Sequence, residues 1–168
     1  MAATAARKRT LIAQGKAHIA QAKEHESTGW FKWTPDWSLA SSEYEKAASS
    51  FKLAQEYNSA VEAYRMQANA FEKAGLVFSA GQSLERASMM AKEMGNGNEM
   101  AATLLLGAAD HYKLDGKYDK AADAMTKAAK LVLDDYKKAK GILDSLLEMF
   151  NDDDNLIRFG QETFKLGI

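Results

Sequence analysis

Large apolar, small and polar positions follow one another along this chain with a helical period. From Trp37 the order is large, alanine three on, large seven on, small eleven on and large fourteen on: Trp37, Ala40, Tyr44, Ala48, Phe51. It recurs at Tyr57, Ala60, Tyr64, Ala68, Phe71, and more weakly at Val77, Ala80, Leu84, Ser88, Ala91. Asn98, Ala101, Leu105, Ala109, Tyr112 and Tyr118, Ala121, Met125, Ala129, Val132 complete five copies. Their starts at 37, 57, 77, 98 and 118 are 20, 20, 21 and 20 residues apart. Steps of three and four place these side chains on one helix face. The alanines leave shallow notches that a large side chain of a neighbouring helix fills, so the helices approach closely. One helix with its turn takes 20 residues, so a helical hairpin takes about 40, against 34 for tetratricopeptide and ~40–47 for HEAT or armadillo units.

Turn residues fall where the period asks for them: Gly75, then Gly95-Asn96-Gly97-Asn98, then Asp115-Gly116-Lys117. Glycine and asparagine accept the positive φ of a helix C-cap. The pattern predicts helices over 3–27, 36–53, 57–73, 77–93, 98–114, 118–133, 136–150 and 153–166. Asp152-Asp153-Asp154 reads as an N-cap cluster at the last of them; it lacks the later glycine and glutamate of a calcium loop. The expected fold is all-α, a right-handed superhelical array of antiparallel helical hairpins, a tetratricopeptide-like α/α repeat. One domain is expected over 1–168: a basic first helix at 1–27, an aromatic loop at 28–35, repeat helices over 36–133 and degenerate helices over 134–168.

Composition agrees. Thirty alanines and one proline in 168 residues favour helix throughout. The absence of cysteine excludes disulfides, thiolate metal sites and cysteine nucleophiles. A net charge of −1 argues against a general nucleic-acid binder. No apolar run approaches the ~18–20 residues of a membrane span, and no secretory h-region is visible near the start. The expected compartment is the cytosol, and the isolated protein is expected to be a monomer.

Enzyme signatures are missing. Gly116-Lys117 lacks the rest of a phosphate-binding loop, and His25-Glu26 is followed by no second histidine at the zincin spacing. Gly15, Ala22 and Ala108 stand three residues before His18, His25 and His111, where a di-iron bundle needs glutamate. His18 and His25 read as partly exposed histidines rather than a metal pair. No cofactor is expected. The unusual segment is Gly29-Trp30-Phe31-Lys32-Trp33-Thr34-Pro35-Asp36-Trp37, which holds every tryptophan of the chain. Residues 1–23 carry Arg7, Lys8, Arg9, Lys16 and Lys23 and no acid. Aromatic side chains beside a basic helix suit a membrane interface, so Trp30, Phe31, Lys32 and Trp33 are expected to form a peripheral membrane contact. A generic helical-repeat scaffold for some other protein partner shows the same periodicity without needing that loop.

The segment Thr28-Gly29-Trp30-Phe31-Lys32-Trp33-Thr34-Pro35-Asp36-Trp37, followed by Ala40-Ser41-Ser42-Glu43-Tyr44-Glu45-Lys46-Ala47-Ala48, resembles the soluble NSF attachment proteins, and most of all their gamma type. Glu85-Arg86-Ala87-Ser88-Met89-Met90-Ala91-Lys92-Glu93-Met94 is similar to the family's third repeat helix. The resemblance runs over roughly 15–135. It implies a twisted sheet of helical hairpins without a catalytic site. It also implies an adaptor of vesicle transport that binds syntaxin-type SNARE bundles at the membrane and recruits the hexameric ATPase NSF to take them apart. Family members are nearly twice this long, so the end that engages NSF is expected beyond Ile168. Because SNARE bundles are acidic, the resemblance implies a basic face for them. Lys113, Lys117, Lys120, Lys127, Lys130, Lys137, Lys138 and Lys140 are the candidates, with Asp123 a possible surface partner for Lys127.

Overall fold

The computed structural model describes residues 2–28 and 34–149. Within them the chain forms α1 (Ala2–Glu26), α2 (Trp37–Leu53), α3 (Tyr57–Lys73), α4 (Val77–Lys92), α5 (Asn98–Leu114), α6 (Tyr118–Leu131) and α7 (Tyr136–Met149), and no strand. The five repeat copies begin where five successive helices begin. The helix expected over 153–166, and the Asp152–Asp154 cluster before it, lie outside the described residues.

The alanine column explains the packing. Ala40, Ala60, Ala80, Ala101 and Ala121 are all 0% exposed. Where a helix comes closer still, glycine replaces alanine. A Cβ on Gly81 would stand 2.7 Å from the Tyr112 ring, and one on Gly15 would stand 2.7 Å from the Phe51 ring. The core therefore follows the stack of helices in successive clusters. One joins α5, α6 and α7 through Leu105, Tyr112, Met125 and Leu146. Another joins α2 to α5 through Phe51, Tyr64, Met90 and Leu104. A third packs Ala22 of α1 with Tyr44 and Ala70.

Three of the turns share one geometry. Gly75 and Gly116 take φ of 74° and 70°. In each turn the N–H of the glycine and that of the next residue reach back to helix carbonyls: Gly75 to Glu72, Leu76 to Phe71, Gly116 to Lys113 and Lys117 to Tyr112. This is the double bond of a Schellman cap. The α2–α3 turn makes it too, but with Gln55 at φ 57°, a strained choice for a residue with a Cβ. The α4–α5 turn, where the repeat interval is 21, has no positive-φ residue. Its Gly97 is there for room, since a Cβ would lie 1.7 Å from the Ala91 carbonyl oxygen.

Polar contacts show α1 and α2 running antiparallel. Lys8 lies 2.8 Å from Glu56 and His18 2.7 Å from Glu43, and the Asp36 N–H donates to the His25 carbonyl at 2.9 Å. Residue numbers fall on one helix as they rise on the other. A second set links every other helix. Glu45 meets Arg86 (α2 to α4), Glu85 meets Lys127 (α4 to α6), Glu72 meets His111 (α3 to α5) and Glu99 meets Lys138 (α5 to α7). These partners stand 39 to 42 residues apart, one hairpin repeat. The molecule is an array of antiparallel helical hairpins.

Candidate functional site

A groove runs between α4 and α6 across α5. It has a volume of about 290 Å³, an apolar floor of Met89, Leu105 and Leu131, and three cations, Lys92, Lys127 and Lys130. Its polar centre is Glu85. That carboxylate accepts the Tyr112 hydroxyl at 2.6 Å and the Lys127 ammonium at 3.2 Å. Lys127 also lies 2.6 Å from Asp123. Burial opposes the charge on Lys127, but the Asp123 hydrogen bond and the charges of Glu85 and Asp123 outweigh it and hold its pKa above the ordinary lysine value. Burial, aided by Glu85, pushes the Tyr112 phenol up strongly. Lys127 is thus spent on tying α4 to α6. Among the described residues, Lys92 and Lys130 have no carboxylate within ion-pair distance, and both are exposed.

The other candidate lysines fall in two further places. Lys137 and Lys138 edge a groove between α5 and α7, about 360 Å³, floored by Leu106, Met125, Val132 and Ile142. Lys138 is held by Glu99 and lies 3.6 Å from Asp135, and these carboxylates, Glu99 foremost, raise its pKa. On α7, Lys140 pairs with Asp144 at 2.7 Å, which raises its pKa as well. Lys113, Lys117 and Lys120 lie about the α5–α6 turn, where Lys113 pairs with Asp110 at 2.6 Å. The eight lysines expected to form one basic face are therefore spread over three, and four of them are neutralised by a carboxylate of this chain. Spacing along one helix exposes such pairs only at three or four residues. The partners of Lys127 and Lys138 on other helices become visible only when every second helix is laid side by side.

Lys92 was missed by the sequence reading. The repeat register held a signal for it, since Lys92 and Lys52 occupy the same column one hairpin apart. Of the expected membrane contact, Trp30, Phe31, Lys32 and Trp33 lie outside the described residues. Its neighbourhood is partly described: Trp37, at the start of α2, carries the Lys73 ammonium 4.5 Å from its ring centroid. Three basic residues of the first helix, Arg7, Lys8 and Arg9, are a correction. Because α1 is continuous over Ala2–Glu26, Lys8 stands about 27 Å along the axis from its C-terminal end, at 1.5 Å per residue. That exceeds the ~8–10 Å over which salt leaves charges coupled. Arg7, Lys8 and Arg9 therefore belong to the opposite edge of the array and not to the aromatic loop.

His18 is bound to Glu43, as is Lys46 at 2.6 Å. The hydrogen bond from Lys46, reinforced by His18, holds the Glu43 carboxyl below the ordinary carboxylate range against the opposing effect of burial. Among the described residues no group of three or more histidine, aspartate or glutamate side chains is placed to hold a metal. No described helix is long and apolar enough to cross a membrane.

Stacked helical hairpins that present lysine-edged, apolar-floored grooves define a helical-repeat scaffold. The family model for soluble NSF attachment protein, SNAP, matches residues 11–163, and the chain belongs to that family. It is 35% identical over 153 residues to the gamma-soluble NSF attachment protein of Dictyostelium discoideum, covering 90% of this chain and 47% of that protein. It is 28% identical over 121 residues to the gamma-soluble NSF attachment protein of Arabidopsis thaliana, covering 72% of this chain and 39% of that one. The chain spans about half the length, or less, of these curated relatives. The match extends well past residue 135, where the motif-based resemblance stops.

Proposed function

We propose that this protein is a non-enzymatic adaptor of vesicle transport, cytoplasmic and peripheral to membranes, that binds assembled SNARE bundles and brings them to the NSF ATPase. Family membership and the names of its gamma-type relatives support the adaptor role. The observation that carries the binding mode is the α4–α6 groove, where unpaired Lys92 and Lys130 flank the floor of Met89 and Leu131. A helix that offers an apolar stripe edged by acids meets an apolar strip and two free cations there. Lys137, beside the α5–α7 groove, extends the same chemistry. Lys117 and Lys120 remain candidates for a second contact at the α5–α6 turn. Lys113, Lys127, Lys138 and Lys140 act mainly on the fold.

The test is a pull-down of this protein on assembled SNARE bundles. Lys92→Glu with Lys130→Glu should weaken capture about tenfold or more and flatten its dependence on salt, because exposed charges are screened within ~8–10 Å. Capture that ignores both salt and the substitutions removes the mechanism. The aromatic loop is proposed as a peripheral membrane contact. Trp30→Ser with Trp33→Ser should reduce sedimentation with anionic vesicles and leave the melting temperature nearly unchanged. A large loss of stability with unchanged vesicle binding assigns those rings to the core instead.

A further inference from the structure

We propose that the edge formed by the N-terminal part of α1 with the α2–α3 and α4–α5 turns is a contact surface for an anionic lipid bilayer. Two open depressions adjoin along this edge. One, of about 700 Å³, is lined by Arg7, Lys8, Leu11 and Leu53. The other, of about 640 Å³, is lined by Lys52, Leu53, Met89 and Lys92. Leu53 borders both and is 66% exposed, so it stands as an apolar ridge between them, and Met89 beyond it is 56% exposed.

The charge is one-sided. Arg7, Lys8, Lys52 and Lys92 line the two depressions against a single acid, Glu93. The nearby Glu56 is taken up by Lys8 at 2.8 Å. Among the described residues neither Lys52 nor Lys92 has a carboxylate within ion-pair distance. The repeat itself builds this row, because Lys52 and Lys92 fill the same column of successive hairpins and so project from the same edge.

Cations beside protruding leucine and methionine suit a surface that is anionic outside and apolar beneath. Each basic side chain close to an anionic leaflet multiplies binding roughly fivefold. The Leu53 ridge selects the bilayer over an acidic helix. A rigid helix ~10 Å across cannot settle into both depressions past a projecting side chain, whereas separate headgroups fill each side and the ridge enters the leaflet. This edge and the one where α1 ends and α2 begins are separated by the length of α2, about 25 Å. The inference therefore stands apart from the aromatic-loop contact. It shares only Lys92 and Met89 with the bundle-binding groove, and the test leaves both intact.

The experiment is sedimentation of the full chain with vesicles of phosphatidylcholine and with vesicles of phosphatidylcholine mixed with phosphatidylserine. In a chain that already carries Trp30→Ser and Trp33→Ser, so that the aromatic-loop contact does not contribute, Arg7→Glu, Lys52→Glu and Leu53→Ser together should lower partition onto the serine-containing vesicles by about thirtyfold or more, with unchanged melting. Lys52→Gln alone should give a smaller loss, of roughly fivefold. Arg65→Gln, midway along α3 where the side chain pairs with Glu62, should change little. Undiminished binding of the triple variant overturns the proposal, as does equal binding to vesicles lacking phosphatidylserine. Loss of SNARE-bundle capture by the triple variant with vesicle binding intact also overturns it, and assigns the edge to a protein partner.

Discussion

Single residues decide how near two helices come. Gly81 lets α4 meet α5 because the Tyr112 ring occupies the place of its missing Cβ, and that ring is held by Phe78 at 5.3 Å between centroids and by Glu85. Gly81→Ala should therefore destabilise the protein by about 1–3 kcal/mol through overpacking, although alanine is the better helix former by ~1 kcal/mol. Gly141 on α7 has nothing within 4 Å of its absent Cβ, so Gly141→Ala should stabilise by up to ~1 kcal/mol. Denaturant titration of the two variants checks the opposite signs. Glu43 gives a pH signature. Its carboxyl is held below its ordinary value of 4.5, so the stability it contributes is fully present above that pH and is lost as pH falls through its folded pKa. The gap in melting temperature between the wild type and Glu43→Gln should narrow below about pH 4.5; a constant gap means the His18–Glu43–Lys46 contact contributes nothing.

At the scale of elements, the alanine stripe was legible because helical period and helix packing use the same spacing. Ala60 shows its cost of change. It is wholly buried within the cluster that joins α2 to α5, and Ala60→Leu should lower stability by about 1–3 kcal/mol in a thermal or denaturant melt. An unchanged melt would contradict the register of the whole stripe. Turn chemistry was legible at Gly75 and Gly116 but not at Gln55, whose left-handed backbone is imposed by helices packed on either side. α7 is weakly anchored, burying Ala139, Ile142 and Leu146 against seven residues for α5. Each unit of a repeat array depends on its neighbours, so amide hydrogen exchange should be faster in α7 than in α3, α4 or α5. Equal protection would show that α7 opens only with the rest.

At the scale of the molecule, charge was the property least legible in sequence. A run such as Lys137-Lys138-Ala139-Lys140 reads as a basic face, yet Lys138 and Lys140 are bound to Glu99 and Asp144. Conversely, Arg7, Lys52 and Lys92 are far apart in sequence and belong to one edge. The grooves follow the same rule, since each is a space between helices i and i+2 over helix i+1, and neither wall carries its signature alone.

What the sequence determined by itself was local and periodic: helix starts at 37, 57, 77, 98 and 118, the buried alanine column and the hairpin repeat. All of these depend on residues within one turn or one repeat of each other, where the backbone fixes which side chains share a face. Only the tertiary structure decided that Lys127 and Lys138 are held from another helix, whereas the pairs of Lys113 with Asp110 and Lys140 with Asp144 lie within one helix turn. An ion pair depends on a separation of a few ångströms in space, and for Lys127 with Glu85 and Lys138 with Glu99 that separation arises between residues some 40 positions apart.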